Sequence, residues 1–455
     1  MGAPFLTIGL AVALLLPGLS FSALAAGKPR IVNGVPATSF PAVGALLTSF
    51  TPVSEYCSGT LIGCRTFAVA AHCVCAEGDL DANECLAHGL DDPSVMRVFF
   101  QHAGFFDVES LIIDPTFAFE SGGDIALLTL TAPVTGIRPA RLDRAGVRNL
   151  GTAATLVGFG VTSEDGADTG VKRVGDIVTD LCPGNVNAAK HICWSFTEPV
   201  GQPGTDSNTC AGDSGGPLFF ATPMGPVLAG VTSGGEPGCE ADSVSWNTDV
   251  FAHLAFIDDF GGRDVGREHC DGLPQVGGAG TTQFTPAGEL SRSRTTARFS
   301  FEVPAGTSQL RVALNGEDND SSVGTQPPND FDLYVKAAEA PTRSEFDCAD
   351  TTIGPYGFCQ IQAPASGTWH VLVQHDAGGG LFQLTVTTFA AAPCAGDCDA
   401  SGQVTVDEIL TGVNIALGET EVTACANLDV DADAAVTVDE LIQAIDRALT
   451  GCSGV

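Results

Sequence analysis

The sequence predicts a mainly β chain that ends in a short helical module, and three observations carry that expectation. Between residues 31 and 270, many short apolar runs are broken by Gly and Pro, the pattern of an all-β barrel or sandwich. Between 281 and 390, apolar and polar positions alternate, as in Leu310-Arg311-Val312-Ala313-Leu314, Leu333-Tyr334-Val335 and Trp369-His370-Val371-Leu372-Val373. That period of two buries one face of each strand and predicts a β-sandwich. Between 394 and 452 the apolar spacing turns helical: Val406, Ile409, Leu410, Val413 and Leu417, then Val438, Leu441, Ile442, Ile445 and Leu449. Gly418 and Gly451 stand where a helix C-terminal glycine belongs. Gly-rich Asp271–Gly280 and Ala390-Ala391-Ala392-Pro393 read as the linkers between these segments.

With 455 residues the chain is long enough for two or three domains. Its formal charge of −34 disfavours nucleic acid and anionic membranes as partners, and suits an extracellular protein or one that binds calcium. An apolar fraction of 44% excludes global disorder. The sixteen cysteines mean disulfides if the chain is exported. The N-terminus decides for export. Phe5 to Leu16 is nearly all apolar, and Ala23-Leu24-Ala25 is a small-x-small cleavage site, so residues 1–25 read as a signal peptide. The n-region lacks Lys and Arg, which leaves an uncleaved anchor as the alternative. The run is short for a span, however, and Pro17 interrupts it.

Three motifs then point to chemistry. Serine-based peptide hydrolysis needs a nucleophile, a base, a group that orients the base, and donors for the oxyanion. Thr209-Cys210-Ala211-Gly212-Asp213-Ser214-Gly215-Gly216-Pro217-Leu218 resembles the nucleophile loop of the trypsin/chymotrypsin family, Ala70-Ala71-His72-Cys73 its histidine motif, and Asp124-Ile125-Ala126-Leu127-Leu128 its aspartate motif. The order His, Asp, Ser, at spacings of 52 and 90 residues, matches that family and neither subtilisins nor α/β-hydrolases. The resemblance implies that Ser214 is the nucleophile, His72 the base and Asp124 its orienter. It implies that the N–H groups of Gly212 and Ser214 form the oxyanion hole. A lone Gly-Asp-Ser-Gly-Gly would be only a glycine turn; the three motifs in order are much more specific.

The same resemblance extends to activation. Arg30-Ile31-Val32-Asn33-Gly34 looks like the family's zymogen junction, with 26–30 as propeptide. A cut after Arg30 would free the Ile31 ammonium to pair with Asp213. By resemblance Cys57–Cys73, Cys182–Cys193 and Cys210–Cys239 are disulfides. Cys64, Cys75, Cys85 and Cys270 allow three connectivities, of which Cys75–Cys85 with Cys64–Cys270 is favoured. The substrate pocket departs from trypsins: Asn208 replaces the aspartate at its base, and its walls are Ser233, Gly235 and Ser245, with Asp242 within reach. Such a pocket admits uncharged side chains better than a buried cation. An acidic insertion at Ala76–Pro93 has no assignable role.

Residues 299–389 resemble a bacterial pre-peptidase C-terminal domain. The carrying residues are Asp330-Phe331-Asp332-Leu333-Tyr334-Val335, Phe346-Asp347-Cys348, Cys359 and Ala363-Pro364-Ala365-Ser366-Gly367-Thr368-Trp369. Cys348–Cys359 is its expected disulfide. Asp318, Asp320, Asp330 and Asp332 read first as a solvated acidic loop and second as a calcium site. Residues 394–452 hold twelve acids and one base and contain a twelve-residue segment that recurs after 32 residues. They resemble a dockerin-type EF-hand pair. Its Ca2+ ligands would be Asp397, Asp399, Ser401, the Gln403 carbonyl, Thr405 and Glu408, then Asp429, Asp431, Asp433, the Ala435 carbonyl, Thr437 and Glu440. Thr-x-x-Glu is also a capping box, so each glutamate has a plain structural alternative. Ala434 replaces the usual turn glycine. The pairing of Cys394, Cys398, Cys425 and Cys452 stays open.

The expected architecture is therefore mainly β. Two six-stranded antiparallel barrels (31–270) are followed by a β-sandwich (281–390) and a small α-helical EF-hand pair (394–452). The expected function is a secreted serine endopeptidase, extracellular or held at a cell surface. It acts on proteins or peptides without a catalytic cofactor and is activated by another protease. A catalytically dead binding homologue is the rival, against which the intact motifs speak. The tail is either a docking module for a cohesin-like partner or a calcium-stapled cap.

Overall fold

The computed structural model describes residues 31–452, apart from 49–54, 77, 147–148, 164–165, 167, 198–202, 237, 240, 271, 319–328, 392–393, 400, 402 and 431–433. The leader 1–25, Arg30, Asp320, Asp431 and Asp433 therefore lie outside the described residues. Among the described residues no helix is long and apolar enough to cross a membrane.

Six strands close into a barrel in the order Val43–Thr48, Glu55–Leu61, Thr66–Val69, Ala126–Leu130, Gly104–Ile113 and Met96–Phe100. Phe67, Val98, Phe100, Leu46 and Leu128 fill its interior. Where the sequence predicts a second barrel, the chain forms an eight-stranded sheet. Its order is Val35–Pro36, Arg173–Val178, Ala153–Gly158, Pro217–Phe220, Val227–Gly235, Ser243–Asp249 and His191–Phe196, with Arg141–Leu142 added in parallel to Val227–Gly235. Val35–Pro36 pairs with the first residues of Arg173–Val178. Just past the other end of that strand, the Asp180 N–H donates to the Cys193 carbonyl at 2.8 Å, so the sheet curls back onto His191–Phe196. The acidic insertion folds into a helix, Ala82–His88, capped by the Asp81 side chain and stapled by Cys75–Cys85.

The C-terminal sandwich packs a five-stranded sheet on a four-stranded one. In Thr307–Gly316, Leu310, Val312 and Leu314 point into the sandwich core with Phe331, Leu333, Val335, Val371 and Val373. By the period of two, Arg311, Ala313 and Asn315 face the other way. That face is not solvated: Ala313 and Tyr356 join the barrel's own core cluster, and Arg311 and Asn315 are buried. The sandwich thus lies directly on the first barrel.

The tail holds two helices, Val406–Ala416 and Val438–Thr450, around Ile415, Cys425, Leu428, Val436 and Ala444. Most of the apolar row read from the sequence faces outward. Val406, Leu410, Val413, Leu417, Val438, Ile442, Ile445 and Leu449 are all exposed. Gly412 causes part of this: it presents bare backbone to Leu428 and Leu441, so the inner face of the first helix is narrow.

Candidate active site

The site forms where the six-stranded barrel meets the eight-stranded sheet. His72 sits in a short 3-10 turn, Ala71–Val74, directly after Thr66–Val69. The Cys57–Cys73 disulfide ties this turn to the neighbouring strand. Asp124 precedes Ala126–Leu130, which pairs with the same histidine-bearing strand. Its carboxylate is fully buried and accepts three bonds: the His72 N–H at 3.0 Å, His72 Nδ1 at 2.8 Å and Ser233 Oγ at 2.6 Å. The last comes from the eight-stranded sheet, so Asp124 spans both halves.

The electrostatics follow from that geometry. Burial alone would lower the His72 pKa, but the charge and hydrogen bond of Asp124 outweigh it and raise the value. Burial alone would raise Asp124, but His72 and Ser233 hold it below the ordinary carboxylate range. The result is an ionised carboxylate that fixes one imidazole nitrogen and leaves the other to act on a substrate.

The Ser214 loop is drawn to the same place by backbone tethers. Ser58, next to Cys57, donates its N–H to the Ser214 carbonyl at 2.8 Å and its hydroxyl to the Gly212 carbonyl at 2.9 Å. Thr232, next to Ser233, exchanges bonds with Gly215 and Gly216. Gly215 has φ +79, and a Cβ there would lie 2.9 Å from the Ala70 nitrogen, two residues before His72. Only glycine allows this approach. Gly212, at φ +89, completes the turn. Among the described residues, no hydrogen bond takes up the N–H of Gly212 or Ser214. Asp213 is buried and accepts from Gly160 at 3.0 Å and Cys210 at 2.9 Å; burial pushes its pKa up to about 7.

The pocket residues also meet. Asn208 is fully buried beside Ser245, which is 2% exposed. Its amide oxygen accepts from Ser245 Oγ at 2.7 Å and Trp194 Nε1 at 3.2 Å. Its amide nitrogen donates to Ser243 Oγ at 3.1 Å and the Cys239 carbonyl at 3.3 Å. Both donors and both acceptor positions of Asn208 are thus engaged within the protein. The Ser233 hydroxyl is committed to Asp124. Gly234 and Gly235 line the mouth, where Phe119 stands edge-on to both His72 and Trp246. Asp242 is exposed. Sequence reading missed Trp194, Ser243 and Phe119, since no motif surrounds them and only strand pairing brings them in.

Elsewhere the structure pairs Cys64–Cys270, Cys182–Cys193, Cys210–Cys239, Cys348–Cys359, Cys394–Cys452 and Cys398–Cys425. Asp318 is not a solvated acid: it is buried and its N–H bonds to the Thr169 carbonyl. In the tail, carboxylate oxygens of Asp397, Asp399 and Glu408 lie within 4.8 Å of one another. Glu408 also accepts from the Cys398 and Thr405 N–H groups, both at 2.7 Å, and closes a capping box. Glu440 repeats this with Val430 and Thr437. Ala434 holds φ +69, the left-handed turn that a glycine takes without strain.

Residues 31–257 match the Trypsin family profile, and residues 295–375 match the bacterial pre-peptidase C-terminal domain. The chain is 32% identical over 194 residues to a trypsin of Saccharopolyspora erythraea, covering 41% of this chain and 77% of that one. It is 31% identical over 224 residues to brachyurin of Leptuca pugilator, covering 46% and 89%. It is 29% identical over 263 residues to spermosin of Halocynthia roretzi, covering 50% and 62%. With relatives covered to that extent and a pre-peptidase C-terminal domain behind it, this chain belongs to the trypsin family and is a serine endopeptidase.

Proposed function

We propose that Ser214, His72 and Asp124 are the catalytic triad of an exported, zymogen-activated endopeptidase. The observation that carries this reading is the buried Asp124 carboxylate holding His72 at two atoms, beside a loop tethered to the neighbours of both. His72 takes the Ser214 proton as Oγ attacks the scissile carbonyl. The resulting imidazolium is stabilised by Asp124 and then protonates the leaving amine. The free N–H groups of Gly212 and Ser214 receive the oxyanion. Peptide hydrolysis in this family needs no cofactor.

Activation occurs by a cut after Arg30, made by another protease. Two features support this. Asp213 is a buried carboxyl with a raised pKa, so an arriving Ile31 ammonium gains by pairing with it. The saturated base formed by Asn208 offers nothing to a substrate arginine, so self-cleavage at Arg30 is disfavoured. For the same reason the preferred residue before the scissile bond is uncharged.

The tail binds calcium and docks a cohesin-like partner. The Asp397, Asp399 and Glu408 oxygens fit a hard cation, and the repeat supplies a second set around Asp429 and Glu440. Docking is favoured over a plain cap by the exposed apolar pairs Val406/Val438, Leu410/Ile442, Val413/Ile445 and Leu417/Leu449, which occupy equivalent positions of the repeat.

Ser214→Ala should abolish fluorophosphonate labelling of the activated protein; a variant that still labels would refute the nucleophile assignment. Asp124→Asn should reduce kcat by about 10⁴-fold. Because Asp124 raises the His72 pKa, its loss should also move the acidic limb of residual kcat/KM to lower pH; a limb that stays or rises contradicts the pairing. In a peptide library, kcat/KM for Arg or Lys before the cut should fall on the order of 100-fold below that for apolar residues. Arginine as the best residue would overturn the pocket reading. Calcium should bind the full chain in a calorimetric titration, and replacing Glu408 and Glu440 together by Gln should abolish the heat. No heat at millimolar calcium would reduce both loops to capped helices.

A further inference from the structure

The loop that carries Ser214 is joined to the sandwich by a buried line of polar groups. Asp213 Oδ1 accepts from the Gly160 N–H at 3.0 Å. The Gly160 carbonyl accepts from Nη1 of Arg173 at 3.4 Å, and the same nitrogen donates to the Val171 carbonyl at 2.8 Å. Arg173 is wholly buried, and its Nη2 lies 3.7 Å from Oε1 of Glu317, on the sandwich. A guanidinium so enclosed needs an anion close by.

The sandwich also grips the backbone on both sides of this arginine. Asn315 Nδ2 donates to the Gly170 carbonyl at 2.8 Å, and the Asp318 N–H donates to the Thr169 carbonyl at 2.8 Å. Gln383 brackets the Lys172 peptide, accepting from its N–H at 2.8 Å and donating to its carbonyl at 3.1 Å. Gly170, at φ +95, lies so close to the Gly316 carbonyl that a side chain would collide with it. These contacts fix residues 169–173 from the sandwich side, and residues 160 and 213 follow from Arg173.

We propose that Arg173 is a positioning residue for the catalytic loop and that the sandwich, through Glu317, Asn315 and Gln383, holds it in place. The peptidase and its C-terminal sandwich then form one catalytic unit rather than an enzyme with a detachable tail. Without Glu317, Arg173 is released from Gly160, Asp213 loses an orienting N–H, and the flanking donors of Gly212 and Ser214 drift from the oxyanion. Such a defect falls on the transition state and leaves substrate binding in place, so it lowers kcat and spares KM.

The inference rests on the Ser214 reading. Fluorophosphonate labelling that Ser214→Ala abolishes tests that reading by itself. The inference is tested in the full, activated chain with Glu317→Gln, Arg173→Gln, Arg173→Lys and, as control, Glu302→Gln. Glu302 lies on the other sheet, where it accepts from the Thr368 hydroxyl. Each variant is measured for kcat and KM on a small peptide amide and for its melting curve. Glu317→Gln should lower kcat roughly ten-fold with KM within about two-fold. Arg173→Gln should lower it further, Arg173→Lys should recover part of the loss, and the control should match the parent.

Parental kcat in Glu317→Gln, or a loss confined to KM, would overturn the proposal. If Arg173→Gln does not fold, the near-isosteric Glu317→Gln decides alone. Labelling that survives Ser214→Ala would count against the site assignment, whereas labelling that depends on Ser214 beside an unaltered Glu317→Gln counts against this inference only.

Discussion

The structure of the site depends on one buried carboxylate. Asp124 is enclosed at the seam between the barrel and the eight-stranded sheet, and its bonds come from two pieces of chain: two from the histidine turn and one from Ser233. Its own carbonyl accepts from Thr248 Oγ1 at 3.1 Å, which adds a second tie to the eight-stranded sheet. A buried charge is tolerated only when it is paired and hydrogen-bonded. That condition forces the two halves into one register. The seam cannot slip without stranding the carboxylate, so the requirement for burying Asp124 is also what orients His72.

The seam between the barrel and the sandwich obeys the same rule, mostly with amide, hydroxyl and imidazole groups. Gln101 donates to Asn315 at 3.1 Å and to Gln383 at 3.0 Å. His102 Nδ1 meets Thr387 Oγ1 at 2.9 Å, and burial pushes the His102 pKa down to about 4, so the ring is neutral. Arg311 donates to the Thr135 carbonyl at 2.8 Å and to its hydroxyl at 3.0 Å, with the Phe389 ring beneath its guanidinium. Amide and hydroxyl pairs cost little to desolvate once each partner is matched, and they demand one relative orientation. A greasy interface of the same size would tolerate sliding. This one does not, which is why a surface of Gln, Asn and Thr can serve as a rigid joint.

The tail uses the opposite arrangement. Its interior is small and is stapled by Cys394–Cys452 and Cys398–Cys425, while its larger apolar side chains face outward. Disulfides restrict the unfolded chain and so replace core volume that a module of this size lacks. Freed from packing the interior, the outer rows of both helices stay exposed.

The motif residues were legible in the sequence because chain order and local spacing suffice to identify them. His72, Asp124 and Ser214 each sit in a short signature whose glycines and alanines are dictated by local backbone geometry. The sandwich, too, was legible from its alternation, since Leu310, Val312 and Leu314 need only know that one face is buried. What alternation cannot say is where the other face goes. Arg311, Asn315 and Gln383 fall on that other face, and tertiary structure buries them against the barrel. The saturation of Asn208 by Trp194, Ser243 and Ser245, and the strand order of the second sheet, were equally hidden. Each depends on which strands become neighbours across the sheet, a long-range choice that no local pattern encodes. In the tail the helical period was plain, but a period fixes only that an apolar stripe exists. Small Gly412 on the opposite side decided that much of the stripe would face out.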